Sequence, residues 1–428
     1  MPRRNVFWLI LVAAVSLACY RQAQSNRYGR VFGDTLEVVH TRALKEVDRD
    51  TLFDAAMRGM MEELDEHSHF TSAKQLQSFE ETINHEFVGV GMEVTMDPKT
   101  GHLVVISPIP GTPAAKEGIL AGDRILRIDD QSTDGISLMD AVKKMRGKPG
   151  TPVVLTVRHE GEEEPIDIKI IRAAVHEDTV QGDRRDPDGK WYYLLDDTDK
   201  IGYLRITGFA DRTPRQFEVA LRELLDDGMR GLVLDLRGNS GGRLQAATEI
   251  CDMLLDSGLI VTIRDRDTDT DFEATPEGTF PNFPMAVLVN GNSASASEIV
   301  AACLQDHDRA IVVGQRTYGK GTVQEIIYLS GKGAMQLTIA GYWRPSGENI
   351  HRDPKSKDED PWGVKPDPGY EVELEEEQLA ELRLWKMRRN RVKTADDAEP
   401  AKDDPRPDPQ LAKAVEYLNK EIKAESTE

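Results

Sequence analysis

Two residue types in this chain stand at a spacing that suits nucleophilic chemistry. One is a serine within Gly291-Asn292-Ser293-Ala294-Ser295-Ala296-Ser297-Glu298, and the other is the lysine of Tyr318-Gly319-Lys320-Gly321. A serine hydroxyl attacks poorly without a base, and a lysine that has lost its proton can be that base. The apolar run Met285-Ala286-Val287-Leu288-Val289 predicts a buried strand closed by Asn290-Gly291, and Ile299, Val300, Cys303 and Leu304 then follow with helical period. A serine at such a strand–turn–helix junction projects at the end of a sheet, beside helix N-terminal amides that suit an oxyanion. Ser295 is the first choice, with Ser293 and Ser297 as rivals by composition. His307 sits twelve residues along the same helix, roughly 18 Å away at 1.5 Å per residue, and reads as a surface histidine instead of a base. The block also lacks the Gly-x-Ser-x-Gly pattern of a nucleophile elbow. A free lysine has a pKa near ~10.4, so Lys320 needs burial to be neutral near pH 7. Its place before the apolar strand Val323 to Leu329 offers that burial.

These blocks, extended to Tyr318-Gly319-Lys320-Gly321-Thr322-Val323-Gln324 and joined by Asp235-Leu236-Arg237-Gly238-Asn239-Ser240-Gly241-Gly242, resemble the carboxyl-terminal processing proteases, also called tail-specific proteases. The resemblance runs from about Val47 to Asp367. It selects Ser295 as nucleophile and implies Lys320 as general base, with Gln324 orienting the lysine. In an extended strand the Cα atoms of Lys320 and Gln324 would stand about 13 Å apart. Their side chains meet only if the chain bends, which Gly321 permits. The oxyanion hole is expected from backbone: the Ala296 amide, and a second donor from Gly241 or Gly242, where glycine lets main chain approach a ligand. Ser240 stands where the family usually has Pro.

The implied fold is a multidomain α/β chain. A PDZ domain is inserted before a crotonase/Clp-protease-like βαβ catalytic core, and an N-terminal helical segment leads in. In residues 83–173, Phe87-Val88-Gly89-Val90-Gly91-Met92-Glu93-Val94 and Gly118-Ile119-Leu120-Ala121-Gly122-Asp123-Arg124-Ile125 carry the PDZ likeness. Gly89 and Gly91 free backbone amides for a terminal carboxylate, and the strand after them accepts an added peptide strand. Phe87, Val88, Gly89, Val90, Gly91 and Met92 are therefore the expected peptide-binding residues. Met92 and Val94 share a face that would border the pocket for the last side chain.

The remaining boundaries follow composition. Residues 1–18 read as a signal peptide: Arg3 and Arg4, an apolar run from Val6 to Ala18 short of the roughly 20 residues of a membrane span, and small residues in Ser16-Leu17-Ala18. An uncleaved anchor and lipidation at Cys19 are the alternatives, although Ser16 stands where a lipoprotein signal usually has Leu or Val. Residues 31–82 read as a helical segment with a stripe of Phe53, Ala56, Met57, Met60 and Leu64 and an N-cap at Asp50. In the family this segment is a lead-in that supports dimerisation. Residues 174–200 read as a polar connector, 201–391 as the protease core with Gly228 ending a helix, 392–410 as a disordered linker, and 411–428 as an amphipathic C-terminal helix.

The chain has 428 residues and a net charge of −21, which disfavours nucleic acid, a partner that needs a basic patch. Cys251 and Cys303 read as buried free thiols, although an oxidising compartment would allow a disulfide between them. His67-Ser68-His69 reads as a surface turn, since two histidines without further ligands do not make a metal site. No cofactor or metal is expected. The expected activity is that of an exported serine endopeptidase of the periplasm or cell envelope, which cuts proteins near their C-termini. Its partners are proteins with exposed tails, with homo-oligomerisation and an N-terminal membrane tether as further expectations. Two rivals are an inactive PDZ scaffold and a crotonase-type acyl-CoA enzyme; an export signal speaks against the second.

Overall fold

Apolar residues recur with three distinct patterns along the chain, and each pattern builds a different core. The computed structural model describes Trp8 and residues 10–16, 26–97, 100–186, 189–195, 198–390 and 407–425. Cys19, most of the expected signal peptide and residues 392–406 of the expected linker lie outside the described residues. The chain divides into two units, one combining the described part of residues 1–76 with 324–338, the other combining 77–323 with the described part of 339–428. Among the described residues no helix is long and apolar enough to cross a membrane.

The first unit has helices Arg27–Arg42 and Arg49–Glu62, then a strand, His69–Ser72. That strand, absent from the helical reading of 31–82, pairs antiparallel with residues 333–336 of a hairpin that turns at Ser330-Gly331-Lys332. Met57, Met61 and Phe70 form its core, with Phe53, Leu329 and Met335 packed around them. Met60 and Leu64 are exposed. The helix stops at Glu62, so Leu64 leaves the periodic stripe, and Met61, one turn after Met57, takes the inner position. The N-cap is Asp48 and not Asp50: its carboxylate accepts from the Thr51 amide at 2.9 Å. Asp50, already inside the first turn, pairs with Lys332 at 2.7 Å.

The second unit begins with a small antiparallel sheet. Strands Met92–Met96, Leu103–Pro108, Arg124–Ile128, Pro152–Arg158 and Ile166–Ile171 follow one another across it. Every second side chain points inward, as Leu103, Val105, Val153, Leu155 and Val157 show, because a strand has period two. Helix Leu138–Met145 closes the core with Ala141 and Met145. The segment 174–200, expected as a polar connector, is built into the unit. Val180–Gln181 pairs with Ile201–Ile206 at a sheet edge, and Arg184–Arg185 pairs with Trp191–Tyr192. Buried Trp191 explains this order, with the Arg185 guanidinium 4.0 Å over its ring and its indole N–H donating to Asp178.

A second, mainly parallel sheet runs Val180–Gln181, Ile201–Ile206, Gly231–Asp235, Met285–Val289, Ile311–Gly314, the last four parallel. Helices cover both faces, so the strands read as unbroken apolar runs. Leu232, Leu234, Val287 and Val289 face Phe217, Leu221, Ile250 and Val300 of the crossover helices. Val233, Ala286 and Leu288 face Leu411, Ala414, Leu418 and Ile422 of the C-terminal helix. That helix starts at Pro409 and not 411, because Asp408 caps it by accepting from the Leu411 amide at 3.0 Å.

One buried charge cluster ties this helix to the sheet. Asp235 accepts from Tyr203 Oη at 2.6 Å and from Lys386 Nζ at 2.9 Å. The Arg237 guanidinium bridges Asp235 and Asp408 at 2.7 and 2.8 Å. Burial opposes ionisation of Asp235, but Arg237 and Lys386 hold it well below the usual carboxylate range. The loop Gly238–Gly242 leaves directly from this anchor. Leu418→Ala should cost about 2–5 kcal/mol of stability by opening a cavity under the sheet. Urea unfolding checks this, and a midpoint equal to wild type would contradict the packing.

Candidate active site

The turn after strand Met285–Val289 fixes three serines in three different ways. Ser293 Oγ donates to Leu236 O at 2.9 Å and accepts from the Asn290 amide at 3.0 Å. Ser297 Oγ donates to Asn239 O at 2.8 Å. Both are fully buried and hold the turn against the loop at 236–239. Ser295 is 7% exposed, and its hydroxyl meets another side chain, Tyr342 Oη, at 3.2 Å. Its backbone, at φ 55° and ψ −115°, is strained for a residue with a Cβ. Strain of this sort persists only where the surroundings enforce it.

What enforces it is Glu298, on the first turn of helix Ala296–Asp306. Its Oε2 accepts from the amides of Ser295 and Lys320, each at 2.8 Å. Its Oε1 accepts from the Gly319 amide at 2.6 Å and the Thr317 hydroxyl at 2.5 Å. Thus one carboxylate oxygen brings the main chain of Ser295 and Lys320 together across 25 residues of sequence. Burial pushes Glu298 up to about 7, with its four donors pulling the other way. Tyr342 completes the group. Its amide donates to Gly321 O at 2.9 Å, and burial pushes its phenol up to about 12. Gly321 itself admits no side chain, since a Cβ there would sit 2.2 Å from the His351 nitrogen.

The loop at 238–242 closes against Ser295. A Cβ on Gly241, at φ 104°, would lie 2.8 Å from Ser295 Cβ and 3.0 Å from the Ala296 nitrogen. The Gly241 amide, one of the expected oxyanion donors, is engaged by Asn239 Oδ1 at 2.9 Å. The amides of Ala296 and Gly242 have no acceptor among the described residues. Gln324 belongs to the first unit, where its Nε2 donates to Thr338 Oγ1 at 3.2 Å. His307 caps the far end of the helix and bonds Leu259 O at 2.7 Å through Nε2. Among the described residues no group of three His, Cys, Asp or Glu could hold a metal ion.

Glu298 stands in the serine block of the sequence with no role evident from the block itself, and Tyr342 lies outside the blocks quoted above. A signal existed for Glu298, because Ser-x-x-Glu at a helix start is the capping-box spacing. None existed for Tyr342, which reaches Ser295 only because its strand pairs with Gly258–Arg264, Tyr342 opposite Ile263.

A second site lies on the small sheet. Phe87, Gly89, Val90, Gly91, Met92 and Val94 line a cavity of about 390 Å³ that also reaches Val142, Met145 and Arg146 of the facing helix. Gly91 bends at φ 82°, and the Val90 and Gly91 amides have no acceptor among the described residues. Val88 pairs within Glu86–Gly89 against Ala173–His176.

Residues 200–368 match the model of peptidase family S41, and residues 87–170 match the PDZ domain. These define a PDZ-bearing serine peptidase. The carboxy-terminal-processing protease of Bartonella bacilliformis is 37% identical over 96% of this chain and 93% of its own length. The carboxy-terminal processing protease CtpA of Bacillus subtilis is 31% identical over 81% of this chain and 75% of its own. A solved S41 protease structure from Bacteroides fragilis, 16% identical, superposes with a TM-score of 0.50 over 92% of this chain and 96% of that one, a likeness of fold. The chain belongs to the carboxy-terminal processing protease family, serine-type peptidases that act on proteins.

Glu298 gives stability a pH signature. The folded chain keeps its proton up to about pH 7, whereas the unfolded chain releases it near 4.5. The contribution is therefore greatest below 4.5, declines as pH rises to about 7 and is level above. Glu298→Gln cannot titrate, so urea midpoints of wild type and variant should shift in the variant's favour between pH 4.5 and 7. A pH-independent difference would contradict the assignment.

Proposed function

We propose that this protease is exported and cuts its protein substrates near their C-termini with a serine–lysine pair. The observation that carries the reading is the Glu298 oxygen shared by the Ser295 and Lys320 amides. The engagement of Ser293 and Ser297 with backbone carbonyls supports Ser295 as the nucleophile. Neutral Lys320 takes the Ser295 proton while Oγ bonds to the peptide carbonyl carbon, and the carbonyl π pair moves onto its oxygen. The amides of Ala296 and Gly242 hold that oxyanion, a role worth about 10²–10³ in rate per donor in a dry site. Collapse expels the amine, which takes the proton from Lys320. Water, giving a proton to the same lysine, then bonds to the acyl carbon, and collapse releases the acid as the lysine returns that proton to Ser295 Oγ. The role of Gln324 rests on the family resemblance alone.

The PDZ cavity supplies delivery. A substrate's terminal carboxylate would accept from the Val90 and Gly91 amides, its last side chain would enter between Met92 and Met145, and its backbone would extend strand Met92–Met96. Export to the cell envelope is supported by Arg3, Arg4 and the apolar run to Ala18. A tether through the N-terminus and association between copies belong to the same reading.

Ser295→Ala should abolish cleavage of a tail peptide with the fold intact, while Ser293→Ala should remain active; the reverse result would move the nucleophile. Lys320→Arg should be as inactive as Lys320→Ala, because a guanidinium stays protonated. Turnover by the arginine variant would reduce Lys320 to a positive charge. Amidating the tail removes the charge that the Val90 and Gly91 amides would bind. The full-length protein, as its Ser295→Ala form, should bind the free-acid peptide at least about 10-fold more tightly than its amide, a loss on the scale of one hydrogen bond to a charged group. Equal affinities by calorimetry would sink the delivery role.

A further inference from the structure

Tyr342 touches Ser295 and the residue that follows Lys320. Its hydroxyl lies 3.2 Å from Ser295 Oγ, and its amide donates at 2.9 Å to the carbonyl of Gly321, the residue after Lys320. The side chain is 5% exposed, and its position is set by strand register, with Tyr342 opposite Ile263 and Trp343 opposite Thr262. The register places its backbone beside the serine turn, and burial holds the side chain there.

We infer that Tyr342 is a further catalytic residue, whose hydroxyl donates a hydrogen bond to Ser295 Oγ as the serine gives up its own proton. The inference rests on Ser295 as nucleophile and Lys320 as base. The chemistry assigns the donor. Burial pushes the phenol up to about 12, so Tyr342 keeps its proton at working pH and cannot be the base. With Tyr342 donating to one lone pair of Oγ, the serine's own O–H is left to point to the base. When that proton moves to Lys320 Nζ, negative charge grows on Oγ in a site almost closed to water. A buried charge of this kind is costly unless a donor already faces it. Tyr342 meets that need without transferring a proton. As the Oγ–carbon bond forms, the charge passes to the carbonyl oxygen, and the tyrosine remains neutral throughout.

One neighbour, Glu298, explains why the hydroxyl, and not only the ring, belongs here. When ionised, Glu298 raises the phenol further and favours the protonated donor. Glu298 Oε2 is already occupied by the Ser295 and Lys320 amides, so the carboxylate is committed to the main chain and leaves Oγ to the tyrosine.

Tyr342→Phe removes the hydroxyl and keeps the ring. Steady-state cleavage of a fluorogenic peptide with a free C-terminus, by the full chain, reads the effect. The expected result is a kcat lower by about 10- to 100-fold, the range for one hydrogen bond to a charged group, with KM and melting temperature unchanged. Substituting 2,3-difluorotyrosine at 342, which keeps a more acidic hydroxyl, should retain wild-type kcat within about threefold. A phenylalanine variant with wild-type kcat would overturn the inference. So would equal losses in both variants, since disturbed packing and not the missing hydroxyl would then account for them. Ser295→Ala in the same assay separates the underlying reading. An inactive alanine variant beside a fully active Tyr342→Phe overturns the tyrosine's role alone, whereas an active alanine variant overturns the nucleophile assignment itself.

Discussion

The site depends on one buried carboxylate. Glu298 is fully buried on the first turn of a helix, yet it satisfies four donors from two separate stretches of chain. A carboxylate accepts at both oxygens and donates nothing when ionised, so it can draw several N–H groups to one point. Here that point lies between the serine turn and the lysine loop. Without it the amides of Ser295, Gly319 and Lys320 would be left without this acceptor in a dry interior, and each such loss costs about 1–3 kcal/mol. The positive φ of Ser295 is sustained by the same contact.

The surrounding fold can be understood as what makes that carboxylate tolerable. Four parallel strands, covered on both faces, deliver the loops at 236–242, 290–295 and 315–321 to one end of the sheet. The Asp235–Arg237–Asp408 cluster anchors the first of these loops and recruits the C-terminal helix to do so. Breaking a buried pair of this kind leaves an uncompensated charge, which is why such clusters are rigid. Asn239 then carries that rigidity forward. Its side chain takes the Gly241 amide, and its carbonyl receives Ala294 N and Ser297 Oγ. Asn239 thus holds the glycine loop to the serine turn, together with Ser293 on Leu236 O and the Gly238 amide on Asn290 Oδ1.

Much of this was legible in the residues. The apolar runs at 232–234 and 285–289 announced buried strands, because a strand covered on both faces has no polar side. The Ser295 and Lys320 blocks could be paired, and Gly228, at φ 78°, ends its helix as read. What remained hidden depends on long-range pairing. The strand His69–Ser72 forms only because a hairpin some 260 residues later lies beside it, and no local period reveals that. Asp48 and Asp50 are equivalent caps by composition, and only the helix start distinguishes them. The run at 174–200 reads as a connector because its charged and turn residues mask the buried Trp191, a lone residue that sets up no period. The engagement of the Gly241 amide by Asn239 and the contact of Tyr342 with Ser295 are properties of the folded chain alone.

The central claim is that Glu298 sets Ser295, and no other serine, as the reactive hydroxyl. Labelling with a fluorophosphonate, followed by peptide mass spectrometry, tests this without a substrate. In wild type the label should fall on Ser295, and in a folded Glu298→Gln variant its rate there should drop by at least about 10-fold, as expected when a hydrogen bond to a charged group is lost. Label on Ser293 or Ser297, or an unchanged rate at Ser295 in the variant, would contradict the account.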